Sequence, residues 1–183
     1  MFLPAKVPTV SVNNPLLQSY DLPPFSTIRA EHVLPAIETI LADNRVAIAE
    51  ILKSQGQNPT WAGLVLAMDE LNDRLGAAWS PVSHLNAVCN SAELRESYEA
   101  CLQALIAYST EMGQNRELFQ AFEALAHSPQ VGDFDQAQKT ILEHRQRHAL
   151  PRSVCAAGMD EWTQIASFFS RNRALQCCGQ RRL

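Results

Sequence analysis

Two histidines one helical turn apart, in His144-Arg-Gln-Arg-His148, have the spacing of a metal-binding pair. Histidines at positions i and i+4 lie on one helix face, and both can reach a single zinc ion. The zinc helix of a metallopeptidase also needs a glutamate beside one histidine, to act as general base. Here the residue after His144 is Arg145, and the residue before His148 is Arg147. The positive charges of both arginines oppose the binding of a cation. We therefore predict a solvated helix end that binds no metal.

A serine, a histidine and an asparagine lie close together in the segment Ser80-Pro81-Val82-Ser83-His84-Leu85-Asn86. A nucleophilic serine needs a base within hydrogen-bond reach and an acid that orients the base, and sequence neighbours rarely have that geometry. The alternative is a helix start, with Ser80 as N-cap and Pro81 at the first helical position. We predict this helix junction, with His84 and Asn86 bound to backbone groups, rather than a catalytic triad.

Three carboxylates, Asp69, Glu70 and Asp73, form a second cluster of titratable residues. Asp69 and Asp73 lie one helical turn apart with no partner motif, so a solvated helix face is predicted. Four aromatic residues recur at helical spacing, which favours core packing: Tyr98, Tyr108, Phe119 and Phe122. No glycine-rich phosphate loop is present. The sequence therefore gives no catalytic, cofactor-binding or metal-binding residue.

The elements that carry these residues are predicted to be helices. Apolar residues recur at steps of three and four from about Ala30 until Gly56 ends the first helix: Ile37, Ile40, Leu41, Ile48, Ile51 and Leu52. Thr60 is the expected N-cap of a second helix, which buries Leu64, Met68, Leu71 and Leu75. No window alternates apolar and polar residues as a strand does.

Capping signals in the sequence predict where the later helices begin and end. Asn90-Ser91-Ala92-Glu93 has the spacing of a capping box, with Asn90 as the cap. The buried stripe that follows is Leu94, Tyr98, Cys101, Leu105 and Tyr108. Another helix, with Leu118, Phe119, Phe122 and Leu125, stops at Ser128-Pro129, and Asp133 to Gln136 is a second capping-box spacing. The prediction is an all-α antiparallel helical bundle or array, with an extended N-terminal segment and an irregular C-terminal tail.

Charge and cysteine usage change abruptly along the chain. Residues 1–144 carry eight Lys and Arg against seventeen Asp and Glu, whereas residues 145–183 carry seven Arg, no Lys and two acidic residues. The overall charge of −4 argues against nucleic-acid binding. No apolar run approaches the ~20 residues that cross a membrane. Five cysteines without regular spacing fit reduced thiols in the cytoplasm.

Three stretches carry a resemblance to a known family. They are Asn14-Pro15-Leu16-Leu17 with Leu22-Pro23-Pro24-Phe25-Ser26 and Glu31-His32-Val33-Leu34-Pro35-Ala36, then Thr60-Trp61, then Ser80 to Val88 with Tyr98-Glu99 and Tyr108-Ser109-Thr110. In their order and spacing they resemble the N-terminal region of the thimet oligopeptidase and neurolysin family of zinc metallopeptidases, in its oligopeptidase A branch.

The resemblance implies an N-terminal helical domain over residues 14–144, which forms part of the wall of a channel that admits short peptides. It also implies that zinc belongs to an H-E-x-x-H helix far downstream, and this chain contains no such motif. We therefore expect a truncated domain without activity or cofactor of its own, in the cytoplasm. The expected partner is the missing catalytic domain, supplied in trans. Short peptides would bind only to the complete enzyme, and neither nucleic acid nor membrane is expected to bind.

The remaining segments do not share the resemblance. Residues 1–13 are expected to be an N-terminal extension, and residues 145–183 a divergent tail from a shifted reading frame or a rearranged gene. The alternative function is a stand-alone helical interaction module derived from such a peptidase.

Overall fold

The computed structural model describes residues 14–55, 58–89 and 91–148, with the last three residues given as backbone only. Within these ranges every regular element is helical and no strand occurs, which confirms the all-α prediction. The five α-helices form an array: α1 (Ala30–Gln55), α2 (Ala67–Val88), α3 (Ala92–Gly113), α4 (Arg116–Ala126) and α5 (Gln136–His148).

The segment before α1 is folded against the helices. Its first described part is a 3₁₀ turn, Pro15–Leu17, where an extended chain was predicted, while residues 1–13 lie outside the described residues. The buried Asn14 side chain accepts a hydrogen bond from Leu16 N at 3.0 Å and donates one to His32 O at 2.8 Å. One amide therefore closes the turn and attaches it to the start of α1.

Helix α1 is the centre of the array and packs against α2, α3 and α4. Its predicted apolar face is confirmed at Ile37, Ile40, Leu41 and Ile48, each at most 2% exposed. Burying one such side chain contributes about 1.5–3 kcal/mol. The face also contains Asn44, which is fully buried and whose Nδ2 lies 3.4 Å from Leu71 O on α2.

The second helical segment begins as predicted, with the Thr60 hydroxyl accepting a hydrogen bond from Gly63 N at 3.0 Å. Residues Trp61–Leu66 form a π-helical stretch that continues directly into α2. The Gln55 side chain lies over this first turn and accepts hydrogen bonds from the Thr60 amide and hydroxyl. A Cβ at position 63 would overlap the end of that flexible side chain, which would then have to move away and give up its hydrogen bonds to Thr60.

Helix α2 runs without interruption through Pro81, so the predicted helix start at Ser80 is wrong. A proline inside a helix leaves the carbonyl four residues earlier without its amide donor, which here is Ala77 O. The hydroxyl of Tyr20 donates to this oxygen at 3.0 Å and replaces the missing bond. Burial raises the pKa of Tyr20, which keeps the phenol in its donating form. The helix continues because a residue 57 positions earlier supplies the donor.

Two predicted capping boxes shift in register. The N-cap of α3 is Ser91, not Asn90, because the Ser91 hydroxyl accepts from Leu94 N at 3.2 Å. The box before α5 is formed by Asp135 and Gln138 rather than by residues 133 and 136. Asp135 Oδ1 accepts from Gln138 N at 2.7 Å, and Gln138 Oε1 accepts from Asp135 N at 2.9 Å. The 3₁₀ turn Pro129–Asp133 moves the helix start two residues onward.

Helices α3 to α5 complete the core. The predicted stripe of α3 is confirmed at Leu94, Cys101, Leu105 and Tyr108, with Leu102 as an additional buried residue. Helix α4 is capped by Asn115 and buries Leu118, Ala121, Phe122 and Leu125. Helix α5 adds Leu142 to the same core and continues past Arg145 to His148. The rest of the predicted tail, residues 149–183, lies outside the described residues.

Candidate functional surfaces

His144 and His148 both belong to α5, as the sequence predicts. His144 is half-buried, and the side chain of His148 lies outside the described part of the chain. Between them, the Arg145 guanidinium is directed onto α2, where its Nη2 lies 2.7 Å from Asp69 Oδ1. No group of three potential metal ligands among His, Cys, Asp and Glu occurs within the described residues. That this helix binds no metal stays a prediction.

Ser80, His84 and Asn86 all lie on the continuous helix α2, so the predicted backbone contacts at a helix junction are wrong. Ser80 and His84 are exposed, and the His84 ring packs on Phe25 with centroids 5.4 Å apart. Asn86 Oδ1 is buried without a hydrogen-bond partner in the described part of the molecule. The geometry therefore assembles no nucleophile, base and orienting acid from these residues.

The carboxylate cluster divides into two kinds of environment. Glu70 and Asp73 are exposed, as predicted, whereas Asp69 is half-buried and forms an ion pair with Arg145. Burial raises the pKa of Asp69, Arg145 lowers it, and the nearby Asp73 raises it again. The prediction of a fully solvated face is therefore wrong for Asp69. Residues that lie 76 positions apart form this contact, and the local sequence pattern does not show it.

The aromatic residues pack in the core, as predicted. Tyr108 and Phe122 are buried, while Tyr98 and Phe119 are half-buried. The ring of Tyr98 stacks on Trp79 at 4.8 Å. The sequence did not indicate the cation that covers Tyr108, because Arg45 lies on another helix. Its guanidinium carbon is 5.4 Å from the ring centroid, and Arg45 Nη2 pairs with Glu111 Oε2 at 2.8 Å.

A group of exposed, uncharged residues lies on and beside the second half of α2. Ala77, His84 and Val88 are exposed at steps of seven and four residues along α2, so they share one side of the helix. In the segment before α1, Phe25 contacts His84, and the exposed Leu22 lies three residues before Phe25 in the chain. We call these five residues the α2 outer face. Leu22, Phe25 and Val88 are 82%, 40% and 60% exposed.

A shallow groove of about 490 Å³ separates α1 from α4. Its lining is mostly apolar and also includes the charged residues Lys53 and Glu117. The other lining residues are Ala49, Leu52, Gln120, Ala121 and Ala124. None of these described residues is a serine, threonine, cysteine or histidine, so the groove offers no hydroxyl or thiol nucleophile with a histidine base.

Comparison with known proteins identifies the architecture. A model of the family "Neurolysin/Thimet oligopeptidase, N-terminal domain" matches residues 37–160. The chain belongs to this family. Oligopeptidase A of Haemophilus influenzae is 47% identical over 138 residues, which cover 75% of this chain and 20% of the relative. Oligopeptidase A of Escherichia coli is 42% identical over 136 residues, 74% of this chain and 20% of the relative.

A plant relative shows the same extent of similarity. The organellar oligopeptidase A of Arabidopsis thaliana is 33% identical over 138 residues, 75% of this chain and 17% of the relative. The chain thus spans about a fifth of the length of the curated relatives it matches. The domain boundary at residue 144 stays a prediction. In the part of the chain that the structure describes, no helix is long and apolar enough to cross a membrane.

Proposed function

We propose that this chain forms the N-terminal helical domain of an oligopeptidase A-like zinc metallopeptidase and contributes no catalytic group of its own. Membership of the family through its N-terminal domain carries the proposal. In the complete enzyme the domain forms part of the wall of the channel that admits short peptides. The catalytic zinc and its ligands come from the remaining part of the enzyme, and the cytoplasm is the compartment we propose.

The residues support a structural role. Zinc-dependent peptide hydrolysis needs metal ligands, an open coordination position and a general base. No H-E-x-x-H occurs in the sequence. Asp69 on α2 is paired with Arg145, the residue after His144 on α5. This ion pair connects the two helices.

The experiment measures zinc and peptide hydrolysis on the purified chain. After dialysis we expect no stoichiometric zinc and no cleavage of a fluorogenic short peptide, with or without added zinc. One zinc per chain that is lost in a His144→Ala/His148→Ala double variant, together with chelator-sensitive cleavage, would contradict the proposal.

A second assay tests the positive part of the proposal. The Haemophilus oligopeptidase A is produced without the 138-residue segment that this chain matches. Adding the 183-residue chain to this partner should restore peptide hydrolysis in proportion to the complex formed. An unrelated helical protein of similar size is the control, and equal effects of the two proteins would reject the proposal.

A further inference from the structure

We propose that the α2 outer face is the surface through which this domain binds the remaining part of an oligopeptidase A-like peptidase. This inference rests on the proposed function and adds the location of the contact. It concerns five exposed residues, of which Phe25 and His84 are in contact: Leu22, Phe25, Ala77, His84 and Val88.

The second half of α2 carries no charged residue. Between Arg74 and Glu93 the sequence contains no Asp, Glu, Lys or Arg, although 19% of the chain consists of these residues. Burial does not explain this lack of charge, since Ala77, His84 and Val88 are all exposed. Charged residues are depleted at the centres of protein interfaces and are common on free surfaces. The part of α2 after Arg74 therefore has an exposed side with the composition of an interface.

Another long helix of the same domain provides the comparison. Although α1 also has exposed uncharged residues such as Val46, charged side chains recur among its exposed positions along its whole length: Glu31, Glu38, Asp43, Arg45, Glu50 and Lys53. The groove between α1 and α4 is likewise bordered by Lys53 and Glu117. These surfaces have the composition of solvated faces. The contrast singles out α2.

Contacts within the domain order this face before any partner binds, and the face is apolar. The Tyr20 hydroxyl bonds to Ala77 O, and seven residues further along α2 the Phe25 ring packs on His84. These two contacts fix the segment before α1 along the helix, with apolar side chains left at the surface. A preformed surface loses little conformational entropy on binding. Exposed apolar side chains on a rigid surface are typical of a protein-binding site.

The relatives indicate the size of the partner. The region matched by this chain is a fifth of each relative, so four fifths of the same polypeptide are available as a permanent partner of this domain. Permanent interfaces are more apolar than free surfaces, and charged residues are depleted at their centres. Among the surfaces of the described residues, the α2 outer face combines both properties. The occupant we assign is therefore the rest of the peptidase and not a second copy of this domain.

The experiment measures the dissociation constant between the 183-residue chain and Haemophilus oligopeptidase A that lacks the matched segment. The test variants are Val88→Glu and Phe25→Glu, which place a charge in the α2 outer face. The matched control is Val46→Glu on α1, because Val46 is 62% exposed and Val88 is 60% exposed. We expect each test variant to weaken binding by about tenfold or more, and the control to stay within about twofold.

Circular dichroism and thermal unfolding of each free variant verify that the domain remains folded. Binding that responds equally to Val88→Glu and Val46→Glu would leave the proposed function intact and overturn the inference. Failure of the unaltered chain to bind would overturn the proposed function and the inference together. If sedimentation shows a dimer of the unaltered chain that Val88→Glu dissociates, while binding of the peptidase partner is unchanged, the occupant is a second copy and the inference is wrong.

Discussion

The guanidinium of Arg145 lies 2.7 Å from the carboxylate of Asp69, and this pair connects the last described helix to α2. Arg145 also lies over the ring of Phe122 on α4, with its guanidinium carbon 5.9 Å from the ring centroid. A single side chain therefore contacts two helices while belonging to a third. Because burial raises the pKa of Asp69, the ionised carboxylate depends on this cation for compensation.

The first prediction concerns the two halves of this ion pair. Arg145→Met should lower the free energy of unfolding at pH 7 by about 1–2 kcal/mol, because it leaves a half-buried carboxylate without its partner. Asp69→Asn should cost less, since it removes the charge that needs compensation. Urea unfolding of both variants measures the difference. Asp69→Asn that destabilises as much as Arg145→Met would contradict this account.

The pH dependence of the stability of Arg145→Met follows from the direction in which the pKa of Asp69 is shifted. Loss of Arg145 removes an interaction that lowers the pKa of Asp69, so this pKa rises further. A carboxyl whose pKa is higher in the folded than in the unfolded state destabilises the fold as the pH rises through the interval between these two pKa values. The deficit of Arg145→Met should therefore shrink as the pH falls below the raised pKa. A deficit that stays constant from pH 7 to pH 4 would show that lost packing on Phe122 dominates.

The second prediction tests the bond that allows α2 to continue through Pro81. Tyr20→Phe should lower the free energy of unfolding by about 0.5–1.5 kcal/mol, because Ala77 O loses its donor. In a Pro81→Ala background the helix supplies its own amide to this carbonyl, so the same change should cost less. A double-mutant cycle by chemical unfolding measures this coupling. Equal costs in both backgrounds would show that the hydroxyl does not replace the missing amide.

The third prediction concerns the start of α3. The pKa of Glu93 is lowered by a hydrogen bond from its own backbone amide and by one from Ser91. Ser91→Ala should raise this pKa toward its ordinary value, and it should also destabilise the domain by about 1 kcal/mol through loss of the cap on Leu94 N. A carboxyl with a lowered pKa stabilises the folded state above its unfolded pKa and loses that effect as the pH falls.

An NMR titration of the Glu93 carboxyl checks the shift, and thermal unfolding checks the cap. Ser91→Asp, which keeps an acceptor at the cap, is the control for stability. An unchanged Glu93 pKa in Ser91→Ala would assign the shift to the backbone amide alone.

The fourth prediction separates two thiols. Burial, with a smaller effect from Glu38, raises the pKa of Cys101 to about 12, whereas Cys89 is exposed at the end of α2. The thiolate is the reactive form, so Cys101 should resist alkylation at pH 8 in the folded chain and react once the chain is unfolded. Peptide mapping by mass spectrometry after timed alkylation measures each residue separately. Equal rates for Cys89 and Cys101 in the native protein would contradict the structure.

Sequence reasoning succeeded where the signal is local. Apolar spacing predicted that Ile37 and Leu105 lie in the core, and both are buried. Thr60 was predicted to be the N-cap of the second helical segment, and its hydroxyl accepts the capping hydrogen bond. It failed at Pro81, because the donor that keeps the helix intact comes from Tyr20, far away in the sequence. It failed at Asp69 for the same reason. The α2 outer face lies between these cases, since its lack of charge is visible in the sequence but its exposure is not.

The packing of α1 has a consequence for biosynthesis. It contacts α3 extensively, although the whole of α2 lies between them in the chain. The contact with α2 can form as soon as α2 has emerged from the ribosome, but the contact with α3 must wait until α3 has been made. The part of α1 that α3 covers therefore stays open until residue 113, the end of α3, has emerged. During that interval the nascent chain presents apolar side chains of α1 to chaperones, and slow codons within α3 would lengthen the exposure.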